Sequence, residues 1–116
     1  CVPISALSAS IEKTKKAIEK SGLLAPIAGH VGDGNYHLMI LFDGESEDGL
    51  SRAKSLASEV NEIALDFGGT VTGEHGIGSG KRSYMEREHG EAWSIMGNIK
   101  ELFDPNNIMN PGKLVP

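Results

Sequence analysis

The sequence has one cysteine, one tryptophan, an aromatic share of 5% and no long run of basic or apolar residues. A lone cysteine at position 1 closes no intramolecular disulfide, so nothing calls for an oxidising compartment and an intracellular location is expected. The eleven Lys and Arg residues are scattered in pairs such as Lys15-Lys16 and Lys81-Arg82, and the net charge is −5, which argues against nucleic acid as a partner. The longest uncharged stretch, Ser21 to Gly32, is broken by Pro26 and too short to span a bilayer. Neither a transmembrane helix nor a signal peptide is expected. An initiating methionine is also missing, and the start Cys1-Val2-Pro3-Ile4 suggests a processed product or a piece of something longer.

What is present describes a folded chain. With 116 residues, 39% of them hydrophobic and 23% charged, it has enough material for one modest core but too little to enclose a large cofactor as well. A first helix is expected from Ser5, with Leu7, Ile11, Thr14 and Ile18 on one stripe and Gly22 as the stop. LLAPIAGH and YHLMILFD then read as two strands of a β-hairpin. Ser46 or Asp48 caps a second helix whose stripe is Leu50, Ala53, Ala57, Val60, Ala64 and Phe67, ending at Gly68-Gly69. Thr70 to Thr72 is a short β-branched strand, and a helical region follows from about Lys81 to Phe103, interrupted near Gly90 and stopped by Pro105. The tail DPNNIMNPGKLVP is turn-rich and expected to lie extended on a surface.

If Val2 to Ile4 continue a preceding strand, the order is β-α-β-β-α-β. That is an α+β, ferredoxin-like (split βαβ) antiparallel sheet with two helices on one face. Residues 1–73 then form the core, and residues 74–116 supply an active-site loop, a helical region and the tail. Such a sheet, cut short, exposes an edge, which predicts self-association by strand pairing.

The stretch GHVGDGNYH sets His30 and His37 on either side of Asp33-Gly34, a strong signal for a two-residue type I′ turn. With that turn His30 lies directly opposite His37, and opposed residues share a face with Cβ atoms about 4.5–5.5 Å apart. Two imidazole nitrogens so placed can converge on one zinc-like ion at about 2.0–2.1 Å each. The alternative is two ordinary polar residues on a half-exposed sheet. A carboxylate is the usual third ligand beside two histidines, and GEHG offers Glu74 and His75 just past a short strand, where one can ligate while the other faces a substrate. GEHG can equally be a plain polar loop. GIGSGKR does not fit a phosphate loop, because His75 stands at the first Gly position and Arg82 follows Lys81, and no G-x-G-x-x-G is present.

Together, GHVGDGNYH, TVTGEHGIGSGKR and FDPNNIMNPGKLVP, in this order from about Val2 to the end, resemble the C-terminal part of the FAD-linked oxidase family. This vanillyl-alcohol-oxidase-type family includes D-lactate dehydrogenases, glycolate oxidase subunits and D-2-hydroxyglutarate dehydrogenases. The resemblance implies the last part of a substrate domain, whose FAD-binding domain is not in this chain. It implies His30, His37 and Glu74 as ligands of a divalent, zinc-like metal and His75 as the base that takes the substrate hydroxyl proton while hydride passes to FAD. It also implies that Asn110 of NPGK approaches the flavin, although a turn residue before Pro111 is an equal reading. Where the 2-hydroxyglutarate branch carries Asn, this sequence has Met39, pointing to a short substrate such as D-lactate.

The implied whole is a flavin-dependent 2-hydroxyacid dehydrogenase with an unidentified electron acceptor. Its location would be cytoplasmic or peripheral to the membrane in a prokaryote and mitochondrial in a eukaryote. The alternative is a non-catalytic association or folding module.

Overall fold

The computed structural model describes residues 1–116, which divide into two compact units, Cys1–Glu74 and His75–Pro116. In the first unit a 3-10 turn at Ile4–Ala6 leads into α1 (Leu7–Ser21), which stops at Gly22 in the left-handed conformation, as a side-chain-free residue permits. The helix α2 (Glu47–Asp66) begins at Ser46, whose hydroxyl accepts the Gly49 amide at 3.1 Å while Glu47 and Asp48 face the positive end of the helix. The two helices pack through Ala17 of α1 and Leu56 and Ile63 of α2, with Ala25 beside them.

The buried stripe of α2 runs through Gly49, Ala53, Leu56, Ile63 and Ala64. Leu50 and Ala57, expected on it, are exposed. Both stripes keep the 3 and 4 spacing of a 3.6-residue turn, and the buried one is rotated by about one position, so that Leu56 and Ile63 face α1 where Ala57 was expected. On α1 the fully buried positions are Ser10, Thr14 and Ala17, and the larger Leu7, Ile11 and Ile18 are only partly covered.

The four-stranded ferredoxin-like sheet expected from the sequence is not formed. The chain is mostly helical, and its sheet is two short antiparallel strands, β1 (Ile27–Ala28) and β2 (His37–Leu38), extended by a Leu24–Leu41 bridge. The outer segments still touch by backbone: Val2 N–H bonds Gly34 O at 2.9 Å, the Cys1 amino group donates to Thr70 O at 3.1 Å, and the Thr70 amide donates to Cys1 O at 2.8 Å. A ladder so brief does not make a strand. The chain turns into a 3-10 helix at Ile4 and bends at Val71, which ends pairing after one residue on each side.

In the second unit, a 3-10 turn at Arg82–Tyr84 opens into α3 (Met85–His89), and Gly90, at φ +54°, separates it from α4 (Glu91–Phe103). Met85 is its one large apolar side chain fully withdrawn from water, and α4 buries no residue completely. The tail is not merely extended. The Asp104 carboxylate accepts the amides of Ile108 and Met109 at 3.0 and 2.9 Å and pairs with Lys100, so the turn after α4 is pinned to the helix. Trp93 Nε1 donates to Leu114 O at 2.9 Å, and Leu114 N–H to Gly78 O at 3.0 Å. No helix is long and apolar enough to cross a membrane.

Candidate metal centre

The site lies in the Cys1–Glu74 unit and grows from the short hairpin. The observed register pairs Ala28 with His37 and Ile27 with Leu38, so His30 does not face His37 across a two-residue turn. The connection holds a 3-10 turn at Val31–Asp33, closed by Gly34 at φ +73°. It is longer because the His30 carbonyl accepts two amides, from Asp33 at 2.9 Å and Asn35 at 3.2 Å, which curls the loop in place of a tight hairpin turn. Gly34 also stands where a Cβ would lie 2.0 Å from Val2 O, so this curl needs glycine.

The two imidazoles meet nonetheless. Their ring centroids are 6.0 Å apart, edge to face. His37 Nε2 lies 3.2 Å from one oxygen of Glu74 and His30 Nε2 lies 3.6 Å from the other. One ligand atom from each of the three residues falls within 4.8 Å of the others. Donors around a tetrahedral zinc at about 2.0–2.1 Å stand roughly 3.3 Å from one another, so this set fits such an ion with little rearrangement. Three protein donors would leave a zinc-like ion one position for a further ligand, and the side chains of His30, His37 and Glu74 are partly exposed. Glu74 reaches the pair from the turn that follows Val71, where Gly73 at φ +58° packs against Asn35.

The other candidates lie in His75–Pro116. His75 is the next residue after Glu74 and is exposed. Asn110 is exposed at φ +48° and lines an apolar groove of about 690 Å³ with Ile77, Met96, Ile99, Phe103 and Met109. In GIGSGKR, burial lowers the pKa of the Lys81 ammonium, an effect that Glu88 opposes. Two polar anchors escaped the sequence reading: Asp104, and the hydroxyl group of Tyr36 between those of Ser10 and Thr14. The only signal for the second was that Ser10 and Thr14, four apart, occupy stripe positions on α1 that usually go to apolar side chains.

The family of FAD linked oxidases, C-terminal domain, matches residues 1–114, and the chain belongs to it. Over its whole length it is 48% identical to the mitochondrial D-lactate dehydrogenase [cytochrome] of Arabidopsis thaliana, of which it covers 21%. It is 45% identical, over 99% of its length, to a probable mitochondrial D-lactate dehydrogenase of Danio rerio, covering 23% of that protein. Against the glycolate oxidase subunit GlcD of Escherichia coli K12 the figures are 33% identity, 99% of this chain and 23% of the relative. The chain therefore spans about a fifth to a quarter of the length of these relatives.

Proposed function

We propose that this chain is the metal-bearing C-terminal part of a flavin-dependent 2-hydroxyacid dehydrogenase of D-lactate type. The observation that carries the reading is the convergence of His30, His37 and Glu74, with ligand atoms within 4.8 Å, in a chain similar throughout to D-lactate dehydrogenases.

In this reading His30, His37 and Glu74 hold a divalent, zinc-like ion. Bound there, the ion supplies a Lewis acid that lowers the pKa of the substrate's 2-hydroxyl. His75 takes the hydroxyl proton on an imidazole nitrogen. The substrate becomes a 2-keto acid, its α-hydrogen leaving as hydride for FAD, the acceptor supplied by the FAD-binding domain of the complete enzyme. By the resemblance of the NPGK segment, Asn110 is the single flavin contact we assign to the 116 residues. Met39, two residues after His37 and exposed, suits a short apolar substrate such as D-lactate over a longer diacid. The backbone bonds of Cys1 to Thr70 and of Val2 to Gly34 support reading residues 1–73 as one core, with residues 74–116 as the active-site loop, helices and tail. The relatives named mitochondrial support that location in a eukaryote.

Zinc content after dialysis tests the site: about one equivalent is expected for the unaltered chain and none for His37→Ala. In the enzyme with its flavin domain, His75→Ala should keep the metal and lose about 10²-fold or more in D-lactate turnover. Equal metal content in the parent and His37→Ala would sink the assignment.

A further inference from the structure

The hairpin that carries both histidines has two ladder pairs and one bridge, too few to hold it rigid by itself. Its firmest tie runs sideways. Tyr36 is buried, and its phenol oxygen lies 2.7 Å from Ser10 Oγ and 3.1 Å from Thr14 Oγ1, two hydroxyls on α1 that are 0% exposed. A phenol has one donor and two acceptor sites, so one oxygen can satisfy both partners with the protons arranged around it. The residue after Tyr36 is His37. The residue before it, Asn35, donates its amide to the His30 carbonyl. On the far side Gly29, the neighbour of His30, has no room for a side chain: a Cβ there would stand 2.5 Å from Tyr36 Cα. Both imidazoles are thus one covalent step, or one hydrogen bond or contact and one covalent step, from the anchored tyrosine.

We infer that Tyr36, clamped by Ser10 and Thr14, is a positioning residue that sets the separation of His30 and His37. It does not touch a ligand. It decides where the two Nε2 atoms stand, in the way that groups behind a metal's ligands hold them in geometry. The inference rests on the proposed metal centre for its consequence, but the hairpin geometry can be read without metal.

The test compares the 116-residue chain with Tyr36→Phe, with the triple variant Tyr36→Phe/Ser10→Ala/Thr14→Val, and with Leu56→Ala as a core variant away from the clamp. The triple variant removes all three hydroxyls together, so no buried polar group is orphaned and the fold is spared. Zinc alone, in competition with a chelator, is expected to bind about 10-fold more weakly to Tyr36→Phe and to the triple variant. Leu56→Ala should lose stability and keep its zinc affinity. In the metal-free chains, amide exchange at Asn35 and Met39 should run about 5- to 10-fold faster in the triple variant. Recovery of parental zinc affinity in the triple variant, a matching loss in Leu56→Ala, or unchanged exchange would overturn the inference. Failure of the parent chain to bind zinc would sink the metal centre alone, leaving exchange to decide the positioning role.

Discussion

The two units of this chain are held by different means. Cys1–Glu74 buries Val2, Ala17, Ala25, Tyr36, Ala53, Leu56, Ile63, Ala64 and Val71 between two helices and a hairpin. His75–Pro116 buries Met85 and leaves Ile95, Ile99, Leu102 and Phe103 of α4 largely in water, Phe103 at 76% exposure. Charge divides as unevenly: six basic against eleven acidic residues in the first unit, five against five in the second. The first unit is built by burial, the dominant favourable term in folding. The second is built by polar pins at its loop: Asp104 on the Ile108 and Met109 amides, Trp93 on Leu114 O, and Arg82 on Gly112 O at 3.3 Å. A unit of the second kind stands or falls by single groups.

The sharpest way to break that comparison is to remove one core side chain from each unit. Met85→Ala and Leu56→Ala each delete a side chain at most 2% exposed, a change that costs about 2–5 kcal/mol. The second unit has no other large buried apolar group to absorb the loss, so Met85→Ala is expected to abolish its protection, read by Trp93 fluorescence and by exchange at the α4 amides. Leu56→Ala is expected to lower the unfolding midpoint of Cys1–Glu74 and leave it cooperative. Comparable residual protection in both units would contradict the contrast.

Acid should separate the units next. The Asp104 carboxyl is held below its ordinary pKa, first by the hydrogen bond from Lys100 and then by the Met109 and Ile108 amides, against an opposing effect of burial. A carboxylate whose folded pKa is depressed contributes stability above its unfolded pKa, about 3.9, and loses that contribution as pH falls through the folded value. The loop after α4 should therefore lose protection as pH falls below about 4, and Asp104→Asn should be weaker at neutral pH with little further loss in acid. An acid profile identical in parent and Asp104→Asn would count against the pin.

The smallest effect should come from Lys13→Ala. Lys13 meets Asp66 at 3.1 Å with both side chains about half exposed, so the pair contributes about 0–1 kcal/mol, further reduced by salt. Chemical denaturation of Lys13→Ala within that range would confirm that the first unit depends on its core and not on its many surface charges.

Much of this was legible before folding. The stop of α1 at Gly22, the Ser46 cap and the break at Gly90 follow from local chemistry: glycine's access to positive φ and a hydroxyl that can accept an amide. His30 and His37 were paired by a partly mistaken route, because the Asp33-Gly34 signal predicts a tight turn and the chain makes a longer one, and Glu74 was added to them by the family resemblance. The missing strands were illegible for the same reason. Whether Val2 or Thr70 extends into a ladder depends on neighbours far along the chain, and β preference is mostly a statement about those neighbours.

The sequence by itself determined which residues could cap, stop, bend and ligate, since those properties belong to single side chains and their immediate neighbours. The tertiary structure alone decided the register that sets His37 against Ala28, the approach of Glu74 to two imidazoles more than thirty-five residues earlier, and the seating of Tyr36 between two hydroxyls of α1. Each of these is a distance between segments remote in the chain, fixed by how the elements pack and by no residue acting alone.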